Sequence, residues 1–338
     1  LGDQSAPSFS MRSPHEEVRD FLNAHPYDCT ELDERAESIF HEAGLSIGHT
    51  APGLAARLRD KHGIRIVACG AAEMGTAKHR FDTATRTLRL VDFLRPGQQA
   101  FLMAFQLALL EVPEILEGLM RHGRFSGEEA QQLARVALAN YFAGALIMPY
   151  QPFLDAAEEL AYDIECLASR FDVGFEAICH RLATLQRPGS QSLPFFFVRV
   201  DRAGNVSKRR STEDFHFSRV GGTCPLWIVY EAFSQPERIL TQVATMPDGR
   251  SYFWIARQVV SGPVGYGRAQ KTFAVSLGCD LRHAHRIVYS RGLDLADPKI
   301  RTPIGLGCKV CERSDCRQRA FPSLLHATGM GTERSGQR

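Results

Sequence analysis

Three cysteines near the C-terminal end, Cys308, Cys311 and Cys316, stand in the spacing C-x2-C-x4-C, with Gly305 and Gly307 just ahead of them. Glycine permits the tight loop that converging thiolates need. Thiolates are soft ligands, and this spacing points to a metal centre rather than to unrelated buried thiols. Structural zinc usually draws its ligands as two pairs, whereas three close cysteines with one distant partner are the habit of a four-iron cluster. A [4Fe-4S] cluster is therefore the first expectation and zinc the alternative. Cys279, in Gly278-Cys279-Asp280 after a strand-like run, is the expected fourth ligand, and Cys224, in Gly221-Gly222-Thr223-Cys224-Pro225, is the second choice. With zinc, His283 or His285 would also serve, since zinc accepts imidazole. The lone Cys29, Cys69, Cys166 and Cys179 read as small apolar residues.

The elements that must position these thiols divide the 338 residues into two textures. Ser13-Pro14-His15-Glu16 has the form of a capping box with proline at the first helical position, and Thr30 to Asp33 is a weaker version. A third helix is expected after Thr50, stopped at Gly63. Ile64 to Ala68 and Thr87 to Val91 read as strands, and Pro96 to about Gln186 is helical by its three- and four-residue apolar spacing. After Arg187-Pro188-Gly189-Ser190 the pattern turns to β. Phe195 to Val200 with a turn at Asp201 to Asn205 reads as a hairpin, and strands follow at Ile239 to Thr245, Ser251 to Val260 and Thr272 to Leu277. The expected fold is α+β, with a helical domain at 1–190, a β-rich domain of GAF-like texture at 191–305, and a cysteine loop with a frayed tail at 306–338.

Composition narrows the class. With 44% hydrophobic and 23% charged residues the chain has the make-up of a globular protein, and a formal charge of +2 is too mild to imply one that coats nucleic acid. Nine cysteines is an odd number, no basic-then-apolar leader opens the chain, and no apolar run approaches the roughly 20 residues a membrane span takes. A cytoplasmic, reduced, membrane-free protein is expected.

Two resemblances rest on particular residues. Leu138-Ala139-Asn140-Tyr141-Phe142-Ala143-Gly144-Ala145-Leu146-Ile147-Met148-Pro149, with Phe171-Asp172-Val173 to Arg181-Leu182, resembles the ImmA/IrrE class of zinc peptidases. In active members of that class a helix carries His-Glu-x-x-His. Here the match falls on Phe105-Gln106-Leu107-Ala108-Leu109, and the position expected for a third, acidic ligand is near Val136. None of these side chains holds zinc, so peptidase chemistry is excluded by this route. Further along, Arg199 to Arg209, Gly221 to Trp227, Tyr252 to Arg257 and Val310 to Cys316 resemble the bacterial short-chain fatty acyl-CoA regulators.

That family implies a DNA-binding helix-turn-helix, a sensor for acyl-CoA and an iron-sulfur cluster. The first 60 residues show no recognition helix, so the chain is expected to be the ligand-binding part, contacting DNA only through a domain outside it and forming a homo-oligomer. The implied function is binding a short-chain acyl-CoA, propionyl-CoA first, to control propionate and fatty-acid catabolism genes. Coenzyme A asks for cations at its phosphates and an apolar slot for its tail. Arg199, Lys208, Arg209 and Arg219, near Phe215, Phe217 and Trp227, form the densest basic and aromatic segment, and Lys78-His79-Arg80 is a second basic option. The acyl tail is expected near Phe105 and Leu109, in the space a peptidase gives to zinc. Two rivals are a redox sensor whose cluster is the only signal and an acyl-CoA enzyme using His122, His180, His216 or Cys224. The second is set aside, because none of these residues sits in a nucleophile-base arrangement.

Overall fold

The computed structural model describes residues 13–24, 29–210, 223–263, 265–268 and 270–320. The expectations for Phe215, His216, Phe217, Arg219 and the final tail lie outside the described residues. Helix α1 (Pro14–Ala24) starts with the capping box read from its sequence: the Ser13 amide donates to Glu16 Oε2 at 3.2 Å and the Glu16 amide to Ser13 Oγ at 3.3 Å. Thr30, by contrast, is the first helical residue of α2 (Thr30–Glu42) and Cys29 holds the cap position without a side-chain bond. Helix α3 (Ala51–His62) ends on Gly63, whose φ of 61° is the left-handed conformation that stops a helix with least strain.

Strand β1 (Arg65–Cys69), the short α4 (Ala71–Met74), β2 (His79–Asp82) and β3 (Thr87–Val91) follow, and the three strands form a sheet in the order β1-β3-β2. Then come α5 (Pro96–Glu111), α6 (Pro113–Met120), α7 (Glu128–Ile147), α8 (Tyr150–Glu159), α9 (Ile164–Phe171) and α10 (Phe175–Leu182). Helix α5 buries Phe105, Gln106, Leu107 and Ala108 and half-buries Leu109, so apolar side chains stand where a peptidase would carry its metal ligands. Phe105 packs edge-on to the His79 ring, with centroids 5.3 Å apart. At the end of α5, Arg57 clasps Glu111 through Nε at 2.8 Å and Nη2 at 2.7 Å, and Lys61 and His62 join at 2.8 Å. Burial acts to raise the Glu111 carboxyl, but these donors outweigh it and hold it far below the usual range.

The second sheet has the order β5-β4-β8-β7-β6-β9, built from β4 (Phe196–Val200), β5 (Val206–Arg210), β6 (Leu240–Thr245), β7 (Ser251–Ser261), β8 (Lys271–Asp280) and β9 (Arg301–Pro303), with helix α11 (Ile228–Glu231) between β5 and β6. All neighbours are antiparallel except β9, which runs parallel to β6. Side chains alternate faces along each strand. One face carries Phe196, Val198, Val200, Ala244, Tyr252, Trp254, Ala256 and Ala274, and packs with Cys224, Trp227 and Ile304. The other carries Phe197, Arg199, Ile255, Arg257, Val275 and Leu277, paired across strands in register, and meets α10 through His180, whose ring is edge-on to Phe197 at 5.3 Å.

The chain divides into two compact units: Leu1–Val67, His79–Leu90 and Arg95–Tyr150 in one, Ala68–Lys78, Val91–Leu94 and Gln151–Arg338 in the other. By contacts, α9 and α10 group with the large sheet whose face they cover, so the compact units part at residue 150, ahead of the change of texture near 190. The segment from 306 is tied to the sheet edge by Arg313, which donates to the Thr245 carbonyl at the end of β6.

Gly278 faces Trp254 across β7 and β8, and a Cβ there would lie 2.6 Å from the ring carbon Cδ2. Gly278→Ala is expected to lower unfolding stability by about 2–3 kcal/mol through overpacking, measured by denaturant titration.

Candidate functional site

The cysteine pocket is assembled on the Trp254 face of the large sheet from two distant segments. Cys224, Pro225, Pro303, Gly305, Gly307, Cys308, Cys311, Arg313, Cys316 and Arg319 line one small pocket. Cys308 opens a single 3₁₀ turn at residues 308–310. Gly305 lies so close to Cys311 that a Cβ would come 2.5 Å from its Sγ, which only glycine allows. Burial raises the Cys224 thiol; backbone groups of Gly305 and Leu226 oppose this, and the neighbouring Cys311 and Cys316 push it further up. Among the described residues no three Cys, His, Asp or Glu side chains are gathered closely enough to hold a single metal ion.

Polar side chains that no spacing rule singles out hold this loop. Arg313 donates from Nε to the Ile304 carbonyl at 3.0 Å and from Nη2 to the Thr245 carbonyl at 2.6 Å, tying the loop to the end of β6. Arg319 donates to the Cys308 carbonyl at 3.1 Å, and to the Cys311 and Arg313 carbonyls. The Ala320 amide lies 3.5 Å from Cys308 Sγ. On the other arm, Gln242 of β6 donates to the Leu226 carbonyl at 2.9 Å and accepts from the Ile228 amide at 3.0 Å, which fixes the segment that follows Cys224.

The expected fourth ligand, Cys279, is not part of this pocket. It pairs with Phe253, one residue along from the Trp254–Gly278 pair, so strand alternation turns it to the opposite face of the sheet. Burial there pushes its thiol well above the ordinary range. Cys224, the second choice, lines it instead, and neither His283 nor His285 does.

The basic residues expected at the ligand's phosphates separate by the same rule. Arg199 and Lys208 face each other across β4 and β5, and both reach Glu176 Oε1 of α10, at 2.9 and 3.0 Å. Arg209 pairs with Val198 and belongs to the other face. Trp227 is likewise on that face, buried at 5.0 Å from the Trp254 ring, as a core side chain beside Cys224 rather than a stacking surface beside Arg199. Lys78 Nζ donates to Ser261 Oγ at 2.9 Å, and Lys271 is the cross-strand partner of Ser261. Burial, then the like charges of Lys271, Lys208 and Arg199, lowers Lys78 against the pull of Glu176. Burial acts to raise Glu176, but Lys208 and Arg199 hold it below the usual carboxylate range.

His180, only partly exposed beneath this patch, is lowered to about 3 by burial and by Lys208 and Arg210. Its folded value lies below the unfolded one, so between pH 6.5 and 3 the unfolded chain takes up a proton that the folded chain refuses, and stability falls as pH falls through that window. His180→Gln is expected to remove about 2 kcal/mol of the acid-side loss, measured as the wild-type minus variant stability at pH 7 and pH 4.5.

Comparison with known proteins places these features in context. A family described as "Short-chain fatty acyl coenzyme A regulator, C-terminal" matches residues 184–338, and one described as "IrrE N-terminal-like domain" matches residues 59–183. The chain is 50% identical over 329 residues to the HTH-type transcriptional regulator RamB of Mycobacterium tuberculosis, covering 96% of this chain and 69% of that protein. It is 51% identical over 311 residues to the HTH-type transcriptional regulator PrpR of the same organism, covering 92% of this chain and 64% of the relative. It is 39% identical over 324 residues to the propionyl-CoA carboxylase regulator of Cereibacter sphaeroides, covering 96% and 68%. A solved Mycobacterium tuberculosis transcriptional regulator superposes with a TM-score of 0.90 at 50% identity, over 96% of this chain and 97% of that one. These relatives are regulators of transcription rather than enzymes. Among the described residues no single helix is long and apolar enough to cross a membrane.

Proposed function

Because the chain belongs to the short-chain fatty acyl coenzyme A regulator family of transcriptional regulators, we propose that it is the effector-sensing region of such a regulator, binding a short-chain acyl-CoA and carrying a [4Fe-4S] cluster on Cys224, Cys308, Cys311 and Cys316. The regulated genes are those of propionate and fatty-acid catabolism, and the effector to test first is propionyl-CoA. The name of the Cereibacter relative supports that choice. DNA is read by a helix-turn-helix, the feature for which RamB and PrpR are named.

The observation that carries the cofactor half is the meeting of Cys224 with the C-x2-C-x4-C loop around one pocket. The donor set fits: four thiols, no competing carboxylate or imidazole in the lining, and a glycine where Cys311 needs room. Thiols spread around a cavity suit a polynuclear cluster, whereas a zinc ion with Zn–S bonds of about 2.3 Å draws its four sulfurs to a point. When bound, an iron-sulfur cluster supplies a redox- and oxygen-sensitive centre. The chain's own contribution is to hold the sulfurs, with Arg313 and Arg319 anchoring the loop that carries three of them and Gln242 the arm that carries the fourth. A ligand that engages one conformation better than another then shifts the regulator's affinity for its promoters.

Two measurements test the reading. Protein purified without oxygen is expected to be brown and to contain iron and acid-labile sulfide; a colourless protein with one zinc would overturn the cluster. Propionyl-CoA at a hundred times its Kd is expected to stabilise the protein by about 2.7 kcal/mol, a rise of several degrees in melting temperature. A flat thermal-shift series from acetyl- to longer acyl-CoAs would overturn the effector.

A further inference from the structure

Among the described residues, the patch on the α10 face of the sheet crowds like charges around the Glu176 carboxylate. Arg199 and Lys208 both bind Glu176 Oε1, at 2.9 and 3.0 Å. Lys78 is held by Ser261, and Lys271 stands across the strand from that serine. Arg199 lies over Phe273, two residues along β8 from Lys271 and on the same face, so the four cations occupy one region of the sheet. The Arg199 guanidinium also rests on the Phe273 ring, 4.4 Å from its centroid, which fixes its plane. One carboxylate cannot neutralise four cations, and partly buried positive charge without a counter-ion is costly. The Lys208 and Glu176 side chains keep 51% and 28% of their surface open, so the site is reachable from solvent.

We infer that this patch is a phosphate-binding site in which the Glu176 carboxylate is a resident counter-ion, displaced when a phosphate or diphosphate group of the ligand binds Arg199, Lys208, Lys78 and Lys271. A doubly charged phosphate outcompetes a singly charged carboxylate for a guanidinium fork and clustered ammonium groups. Its arrival removes both of Glu176's partners, Arg199 and Lys208, and so loosens the tie between the first turn of α10 and the β4–β5 hairpin. The displaced helix end is how occupancy at the sheet is passed to the α10 layer. The ligand class is a phosphorylated nucleotide such as coenzyme A. The inference rests on the acyl-CoA reading for the identity of the ligand, though not for the anion site itself.

The test is calorimetric titration of the intact chain with propionyl-CoA and, as a probe of the patch alone, with inorganic pyrophosphate. The panel is wild type, Lys208→Ala, Lys271→Ala, Glu176→Gln and Arg209→Ala. Lys208 and Lys271 are exposed, so their removal spares the core, and melting temperatures check that each variant folds. Lys208→Ala and Lys271→Ala are each expected to weaken both ligands about tenfold, in line with loss of one charge-assisted contact. Glu176→Gln is expected to tighten both several-fold, because the competing charge is gone, while Arg209→Ala, on the opposite face, changes neither. If propionyl-CoA binds wild type but the lysine and Glu176 variants leave it unchanged, the inference fails and the acyl-CoA reading stands. If pyrophosphate follows the predicted pattern while propionyl-CoA does not bind, the anion site stands and the acyl-CoA reading fails. Binding of neither ligand, or an effect of these variants on duplex DNA alone, overturns the inference.

Discussion

The ladder between β7 and β8, paired without a break from Tyr252 opposite Asp280 to Ser261 opposite Lys271, decides which side chain of the β-rich unit can meet which. A slip of one residue would turn Trp254 away from the Cys224 side and send Ser276, Gly278 and their neighbours to the helical layer. Gly278 locks the register from within, since the Trp254 ring occupies the space a side chain would need. Both candidate sites depend on this alternation. The thiols gather over the Trp254 face, and the cations gather over the face that α10 covers.

The cysteine pocket shows how a site can rest on side chains with no ligand chemistry of their own. Cys224 and Cys308 are far apart in sequence, and what brings them together is β9 pairing in parallel with β6 and the two arginines that fasten the loop to backbone carbonyls. A loop of three residues of strand and one 3₁₀ turn has little regular structure to order it, so most of its hydrogen bonding comes from Arg313 and Arg319. In the helical unit the opposite has happened. The α5 positions that carry metal ligands in zinc peptidases hold the apolar Phe105, buried, and Leu109, half-buried, and the polar chemistry has moved to the helix end, where Glu111 is clasped by Arg57, Lys61 and His62.

Much of the secondary structure was legible in the sequence. The Ser13 capping box, the Gly63 stop, β3 and the long β7 and β8 strands follow from local rules that tertiary context did not override. The three-cysteine loop was legible as well, from spacing alone. The approach of Cys224 to that loop was not, because nearness in sequence and a glycine neighbour favoured Cys279, whereas the face Cys279 occupies depends on register with β7. The split of Arg209 from Lys208 could have been read, since adjacent residues of a strand point to opposite faces, and a count of basic residues per segment ignores that period. Arg313, Arg319, Gln242 and Glu176 carried no signal, as ordinary charged and amide residues acquire meaning only through the contacts the fold makes for them. That α9 and α10 group by contacts with the sheet was hidden for a related reason: they have helical periodicity but pack on the strands.

The central claim is that the face of the sheet, and not nearness along the chain, selects the fourth thiolate. Iron bound per chain after anaerobic purification tests it most directly in Cys224→Ser and Cys279→Ser, both compared with wild type and both checked for folding. The account predicts that Cys224→Ser loses most of its iron and visible absorbance while Cys279→Ser keeps both. Loss in Cys279→Ser with full retention in Cys224→Ser would contradict it.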